Sequence, residues 1–225
     1  MSINSQLEAL YAGWKKPEEQ FISGGVVNED KYCSAKCKLL VLLKEASDKD
    51  NDADWSLVDL VNDQIKAYKA QEKGYLEIWK RIGMYSYGLQ NEFENFINIS
   101  LKIWVNDVHI PEGLEYIAVT NLKKSGGAGS SNYEEIKGYA IRDKELWIKE
   151  IKIMNPDVVM CGGTFSIVHE ILEFKKDVSP SGAEYGKALG TVFVDFPHPM
   201  YQISPKIYYA YFAESMRELK RIGAY

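Results

Sequence analysis

Residues 38–47 read KLLVLLKEAS, and this stretch gives the strongest indication of the fold. Its first six positions are almost continuously apolar, which is typical of a central parallel strand that is covered on both faces. The apolar run then ends abruptly in Lys44, Glu45, Ala46 and Ser47. Because a strand buried on both sides needs elements packed above and below it, the stretch predicts a layered α/β sheet.

Three more short apolar runs follow along the chain, and each of them also ends in polar or glycine-rich sequence. They occupy residues 116–120, 157–161 and 191–194. Helical spacing of apolar residues occurs around them, at 55–68, 76–96, 131–154, 165–174 and 205–219. This alternation predicts an α/β three-layer sandwich with a central, mostly parallel four-stranded sheet. We expect residues 1–225 to form a single domain, with one long helix at 131–154 and a last helix that begins at Pro205 after Ser204.

The composition limits the classes of function. With 27 Lys and Arg against 32 Asp and Glu, the net charge is −5, which argues against a protein that coats nucleic acid indiscriminately. No apolar run approaches the ~18–20 residues of a membrane helix, and the N-terminus lacks the pattern of a signal peptide. We therefore expect a cytoplasmic protein that has no membrane partner and acts as a monomer.

The sequence predicts neither a metal nor any other cofactor. Three cysteines, an odd number, favour reduced thiols over a disulfide framework. The four aspartates at alternate positions from 48 to 54 resemble a calcium loop, but Ala53 stands where that loop requires glycine. A solvated acidic turn is the interpretation that we favour.

Polar groups follow the predicted strands where each strand ends, and ligands of open α/β sheets bind beyond these carboxyl ends. The groups are Glu45, Asn121, the pair Gly162 and Gly163, and His198. Each has an ordinary alternative, since an acid can cap a helix, an asparagine can form a turn, and a histidine between two prolines can be structural. Together they supply a carboxylate, a carboxamide and an imidazole at one rim.

The order and spacing of short motifs across residues 38–204 resembles the uracil-DNA glycosylase superfamily, nearest its thermostable iron–sulfur branch. Residues 44–48 keep the Glu-Ala of a Gly-Glu-Ala-Pro-Gly motif without its glycines, and 120–124 keep a Thr-Asn followed by lysine without the subsequent Cys-Arg-Pro-Pro. Residues 155–162 are similar to the Pro-x-Val-Ile-Val-x-Leu-Gly strand of that branch. Residues 198–200 are similar to its His-Pro-Ser loop, with Met200 in place of serine. The full set of cluster cysteines is missing, so we predict no iron–sulfur cluster.

The resemblance implies a catalytic role for each of three residues. Asn121 would read the Watson–Crick edge of an extruded base, Glu45 would position water and stabilise the cationic sugar, and His198 would donate a hydrogen bond to the departing base. Trp55 lies where the family places its stacking aromatic residue, although a core residue at a helix start is an equal interpretation.

Further candidates for substrate binding lie beside these residues: Lys44, Ser47, Lys124, Gly162 and Gly163. Lys44 could bind phosphate, or favour the charged form of Glu45 by a nearby opposite charge. The lysines at 123 and 124 could form a basic edge for DNA or simply be solvated. We predict a DNA glycosylase that hydrolyses the N-glycosidic bond of uracil or a modified base in single- or double-stranded DNA. A non-catalytic nucleic-acid or nucleotide-binding protein of the same fold is the main alternative, and an unrelated small-molecule hydrolase is the third.

Overall fold

The computed structural model describes residues 1–48, 53–70, 76–93, 96 and 109–225. Within these ranges the strands are β1 Ile22–Ser23, β2 Gly25–Val26, β3 Leu39–Leu43, β4 Ala46–Ser47, β5 Trp55–Ser56, β6 Ile117–Asn121, β7 Gly126–Gly127, β8 Val158–Gly162, β9 Lys176–Val178, β10 Glu184–Ala188 and β11 Thr191–Phe196. The helices are α1 Ile3–Trp14, α2 Glu29–Cys33, α3 Leu57–Lys69, α4 Glu77–Gln90, α5 His109–Glu115, α6 Tyr133–Arg142, α7 Lys144–Met154, α8 Phe165–Leu172 and α9 Pro205–Arg221.

The main sheet of the described residues has seven strands in the order β2-β6-β3-β8-β11-β10-β9. Strand β3 pairs in parallel with β6 and β8, and β8 pairs in parallel with β11. The outer strands β2, β10 and β9 pair antiparallel to their neighbours, so the sheet is mixed. The predicted count of four strands is therefore wrong, because three antiparallel strands extend the sheet at its edges.

Helices cover both faces of this sheet, because β3 is apolar on both sides. Leu39, Val41 and Leu43 join a buried cluster that contains residues of α3, α4, α5 and α9. Leu40 and Leu42 join a second cluster with residues of α1, α6, α7 and α8. Since full burial of one such side chain stabilises the fold by ~1.5–3 kcal/mol, the strand is anchored from both faces. The α/β class predicted from the sequence is confirmed.

The apolar stripe at 131–154 forms two helices, so the prediction of one long helix is wrong. Asn132 caps α6, and its side chain accepts the backbone N–H of Glu134 at 3.0 Å. The two helices are separated at Asp143. Its buried carboxylate accepts hydrogen bonds from the Arg142 guanidinium at 2.7 and 2.9 Å. Asp143 has a φ of −104° and a ψ of 17°, which depart from the α-helical values of about −63° and −42°, so the helix is interrupted at this residue. At the other end of the chain, α9 does begin at Pro205 after Ser204, as predicted.

Two further findings concern membranes and metals. In the part of the chain that the structure describes, no helix combines the length and hydropathy needed to cross a bilayer. The same residues contain no cluster of histidine, cysteine, aspartate and glutamate suited to a metal ion. Asp50 and Asp52 of the acidic segment lie outside the described residues. The single domain stays a prediction.

Candidate functional site

A cavity of about 620 Å³ lies at the carboxyl ends of the parallel strands, and we call it the strand-end cavity. Glu45, Asn121 and His198, from three separate segments of the chain, all line it. The sheet register explains their proximity, because Leu43 at the end of β3 is the partner of Asn121 at the end of β6. Ser47 and Trp55 line the same space. Its size lies within the ~300–1,000 Å³ of sites for small molecules.

Asn121 is the most unusual group in this cavity. It is 1% exposed, and neither its amide oxygen nor its amide nitrogen has a hydrogen-bond partner among the described residues. A buried polar group left in this state costs ~1–3 kcal/mol. A carboxamide can accept one hydrogen bond and donate another side by side, so Asn121 is suited to a ligand edge that carries a donor next to an acceptor.

The Glu45 carboxylate is held in place by Lys123. The ladder between β3 and β6 continues past both strands, since the Lys123 N–H donates to the Lys44 carbonyl at 3.0 Å. This places the Lys123 ammonium 2.8 Å from Glu45 Oε2 and 2.6 Å from Glu135 Oε1. Burial lowers the pKa of Lys123, but the bonds to Glu135 and Glu45 outweigh it and raise the pKa overall. Lys123 is therefore a fixed cation beside a carboxylate that is only 4% exposed.

Gly127 fits closely against the same carboxylate. Strand β7 pairs with β4, which brings the Gly127 backbone over Glu45. A Cβ atom at position 127 would lie 1.9 Å from Glu45 Oε2 and 2.0 Å from Glu45 Cδ. Only glycine leaves the carboxylate in its present position.

The loop that carries His198 is fixed by hydrogen bonds to its backbone. The Tyr208 hydroxyl donates to the His198 carbonyl at 3.0 Å. The Arg81 guanidinium donates to the carbonyl of Pro199 at 2.9 Å and to that of Tyr201 at 3.0 Å. The imidazole therefore sits on a segment that α4 and α9 hold in place.

The protonation of His198 follows from its surroundings. Burial, and then the positive charge of Lys44, lower its pKa from 6.5 to about 4. The backbone N–H of Met200 donates to His198 Nδ1 at 3.2 Å, so the single proton of the neutral ring belongs on Nε2. At pH 7 the residue is a neutral hydrogen-bond donor at the wall of the strand-end cavity.

Trp55 forms part of the same wall, and Asp48 fixes its ring. The indole N–H donates to Asp48 Oδ2 at 2.6 Å, and the Gln20 amide donates to the same oxygen at 3.0 Å. Leu57 and Leu60 continue the wall as apolar surface. An aromatic ring that is held in this way can act as a platform for a flat ligand.

The structure does not bring Lys124 to the cavity, although the sequence suggested that it contacts the substrate. Its ammonium is buried beneath the other face of the sheet, 2.7 Å from Glu150 Oε1. The rings of Trp14 and Tyr11 lie 5.0 and 5.7 Å from it. Lys124 therefore stabilises the interior, and the expected contact with DNA finds no support in its position.

Lys44, Gly162 and Gly163 support the site without appearing among its lining residues. A Cβ atom on Gly162 would lie 2.7 Å from Leu43 Cδ2, and one on Gly163 would lie 3.5 Å from Lys44 Cε. Gly163 also has a φ of +74°, a conformation that favours glycine. The two glycines shape the turn after β8 against which Lys44 packs.

Sequence reasoning missed Lys123 as the partner of Glu45, Gly127 as its neighbour, and Trp79 as a residue of the cavity wall. The alternation of side chains along a strand could have indicated the position of Lys123, because residues 121 and 123 fall on the same side of an extended chain. Among known proteins, no protein-family model and no curated sequence matches this chain.

Proposed function

We propose that the strand-end cavity binds uracil or a modified base extruded from DNA, and that the protein hydrolyses its N-glycosidic bond. The observation that carries this proposal is the Asn121 amide, which is buried without a partner among the described residues and lines one cavity with Glu45 and His198. This combination pairs a group that can read a base edge with an anion and a neutral donor.

The chemistry needs groups that match the charges of the transition state. As the bond between the sugar C1′ and the base nitrogen breaks, its electron pair goes to the base and positive charge develops on the sugar. The Glu45 carboxylate stabilises that cation and accepts a proton from the water whose oxygen bonds to C1′. The His198 Nε2–H donates to the base oxygen on which negative charge collects. Fixed groups aimed at developing charges lower the barrier more than groups that must reorient.

The neutral state of His198 suits this role at physiological pH. Because the pKa of His198 is about 4, the imidazole is neutral at pH 7. It can donate a hydrogen bond to the departing base but carries no positive charge that would bind other anions before the reaction. Trp55 supplies the stacking surface, a contact worth ~1–3 kcal/mol for each base in nucleic-acid complexes. Helices on both faces of the sheet and a site at its strand ends also support a fold of the uracil-DNA glycosylase type.

A second candidate is a protein that binds a base without cleaving it. The observation that favours it is the close enclosure of Glu45, whose carboxylate already contacts Lys123 and packs against Gly127. The replacement of the family serine by Met200 also removes a hydroxyl donor from the proposed phosphate contact.

An oligonucleotide assay tests both candidates. Single- and double-stranded substrates containing uracil would be incubated with the wild type, Glu45→Gln and His198→Gln, and cleavage at the abasic product would be resolved on a gel. Loss of an acid–base or charge-stabilising group lowers the rate by ~10²–10⁴-fold. Glu8→Gln, a change at an exposed residue of α1, is the matched control.

The outcomes separate the candidates. We expect the wild type and Glu8→Gln to release base at equal rates and the two site variants to be strongly impaired. Binding of the oligonucleotide without base release by the wild type would establish the second candidate. If the wild type neither binds the oligonucleotide nor releases a base from it, with any deaminated base, both candidates are refuted.

A further inference from the structure

Besides Asn121, a second residue that lines the strand-end cavity carries a buried donor without a partner in the described part of the chain. Trp79, in the first turn of α4, is 2% exposed and belongs to the cavity wall. Its indole N–H is buried and finds no hydrogen-bond acceptor in the described ranges of the chain. Its backbone N–H donates to the Leu76 carbonyl at 3.0 Å, which fixes the residue at the start of the helix.

An unpartnered indole N–H is costly, and two of the four tryptophans that the structure describes avoid the cost, whereas Trp14 and Trp79 do not. The indole of Trp55 donates to Asp48 at 2.6 Å, and that of Trp147 donates to the Ala140 carbonyl at 2.8 Å. A buried donor without an acceptor costs ~1–3 kcal/mol. Since the indole nitrogen can only donate, the missing partner of Trp79 has to be an acceptor.

We propose that Trp79 is a base-recognition residue whose N–H donates to a carbonyl oxygen of the bound base, distinct from the edge that Asn121 reads. This inference rests on the proposed function and specifies its substrate class. The Asn121 amide can bind one donor and one acceptor of the base, and the Trp79 N–H can bind a second acceptor of the same base. Uracil satisfies all three groups when N3–H and O4 face Asn121 and O2 faces Trp79.

This assignment defines which analogue should lose the Trp79 contact. 4-Pyrimidinone keeps the N3–H and O4 of uracil but has no O2, so it retains both contacts with Asn121. Among the atoms that face Asn121 and Trp79, uracil and 4-pyrimidinone therefore differ only at O2, the atom that Trp79 is proposed to bind.

Calorimetric titration of both free bases into the wild type, Trp79→Phe and Trp14→Phe tests the proposal. Trp14 is the matched control, because its indole N–H is also buried and unpartnered among the described residues but lies in the core cluster on the opposite face of the sheet. One neutral hydrogen bond contributes roughly tenfold in affinity. We expect Trp14→Phe to keep the preference of the wild type for uracil over 4-pyrimidinone and Trp79→Phe to reduce that preference about tenfold, because it loses affinity for uracil alone.

A measurement on the unmodified protein covers the case in which Trp79→Phe does not fold. With ¹⁵N-labelled tryptophan, the Trp79 indole proton should shift downfield on addition of uracil and stay unchanged with 4-pyrimidinone. Uracil binding with no such shift, or with the preference for uracil intact in Trp79→Phe, would overturn the role of Trp79 and leave the proposed function standing. No binding of either base to the wild type would overturn both.

Discussion

Replacing Gly127 by alanine tests whether the position of the Glu45 carboxylate sets the proposed activity. The added Cβ would lie 1.9 Å from Glu45 Oε2. Unstrained contacts of carbon begin near ~3.5 Å, so the carboxylate has to move by about 1.5 Å. That displacement also disturbs its 2.8 Å contact with Lys123.

The expected effect is large on catalysis and small on stability. A catalytic group misplaced by ~1 Å can cost ~100-fold in rate, which corresponds to ~2.7 kcal/mol of activation free energy. The atoms in conflict belong to the end of a flexible side chain, and Gly127 has no positive φ that alanine would strain. The loss of chain entropy in the unfolded state even favours alanine by ~0.4–1 kcal/mol at compatible positions.

Single-turnover release of uracil from an oligonucleotide measures the rate, and thermal denaturation measures the stability. Gly138→Ala is the control, because a Cβ there has no neighbouring atom within 4 Å. We expect full activity from Gly138→Ala and about a 100-fold slower Gly127→Ala with nearly unchanged melting. Wild-type rates in Gly127→Ala, with the carboxylate displaced in its crystal structure, would refute the reasoning.

Three further predictions follow from the charged groups. Lys123→Met should slow base release, and Lys123→Arg should retain most of the rate, because Glu45 needs a cationic partner. Equal rates of base release for Lys123→Met and the wild type would contradict this. Lys124→Met should lower the free energy of unfolding in urea by ~3–5 kcal/mol, since the Glu150 carboxylate stays buried without its cation. A drop in DNA affinity at unchanged stability would instead place Lys124 at the DNA. Since the pKa of His198 is about 4 when folded and 6.5 when unfolded, the unfolded state takes up the proton first, so stability should fall from pH 6.5 to 4. His198→Gln should reduce this pH dependence of the melting temperature. If the variant and the wild type have the same pH profile, His198 is not the cause of the dependence.

The sequence predicts the centre of the sheet better than its edges. The predicted strands β3, β6, β8 and β11 are rich in apolar residues whose own burial stabilises them, so a local pattern is enough to find them. Strand β2 has only two residues, and β9 consists of exposed residues with a charged start. Such strands form because a neighbour offers unpaired backbone groups, and this information lies outside their own sequence.

The same distinction explains what was predicted of the site. Strand ends of a parallel sheet meet at one edge whatever their distance along the chain, so Glu45, Asn121 and His198 could be grouped from the pattern alone. Lys123 and Lys124 form neither the basic edge nor the solvated pair that the sequence suggested, because both side chains are buried and adjacent residues of an extended chain point to opposite faces. One ammonium holds Glu45, and the other holds Glu150 beneath the sheet.

The hydrogen bonds of the strand-end cavity divide its residues into two groups with different consequences. Glu45 and Trp55 have partners within the protein, so their positions are fixed before any ligand arrives. Asn121 and Trp79 lack partners in the described residues, and each carries the cost of a buried unsatisfied group. A ligand that forms hydrogen bonds with Asn121 and Trp79 removes that cost. The same two residues that recognise the ligand therefore contribute favourably to its binding free energy. The fixed groups, which gain little from the bound ground state, remain available for the charges that develop during reaction.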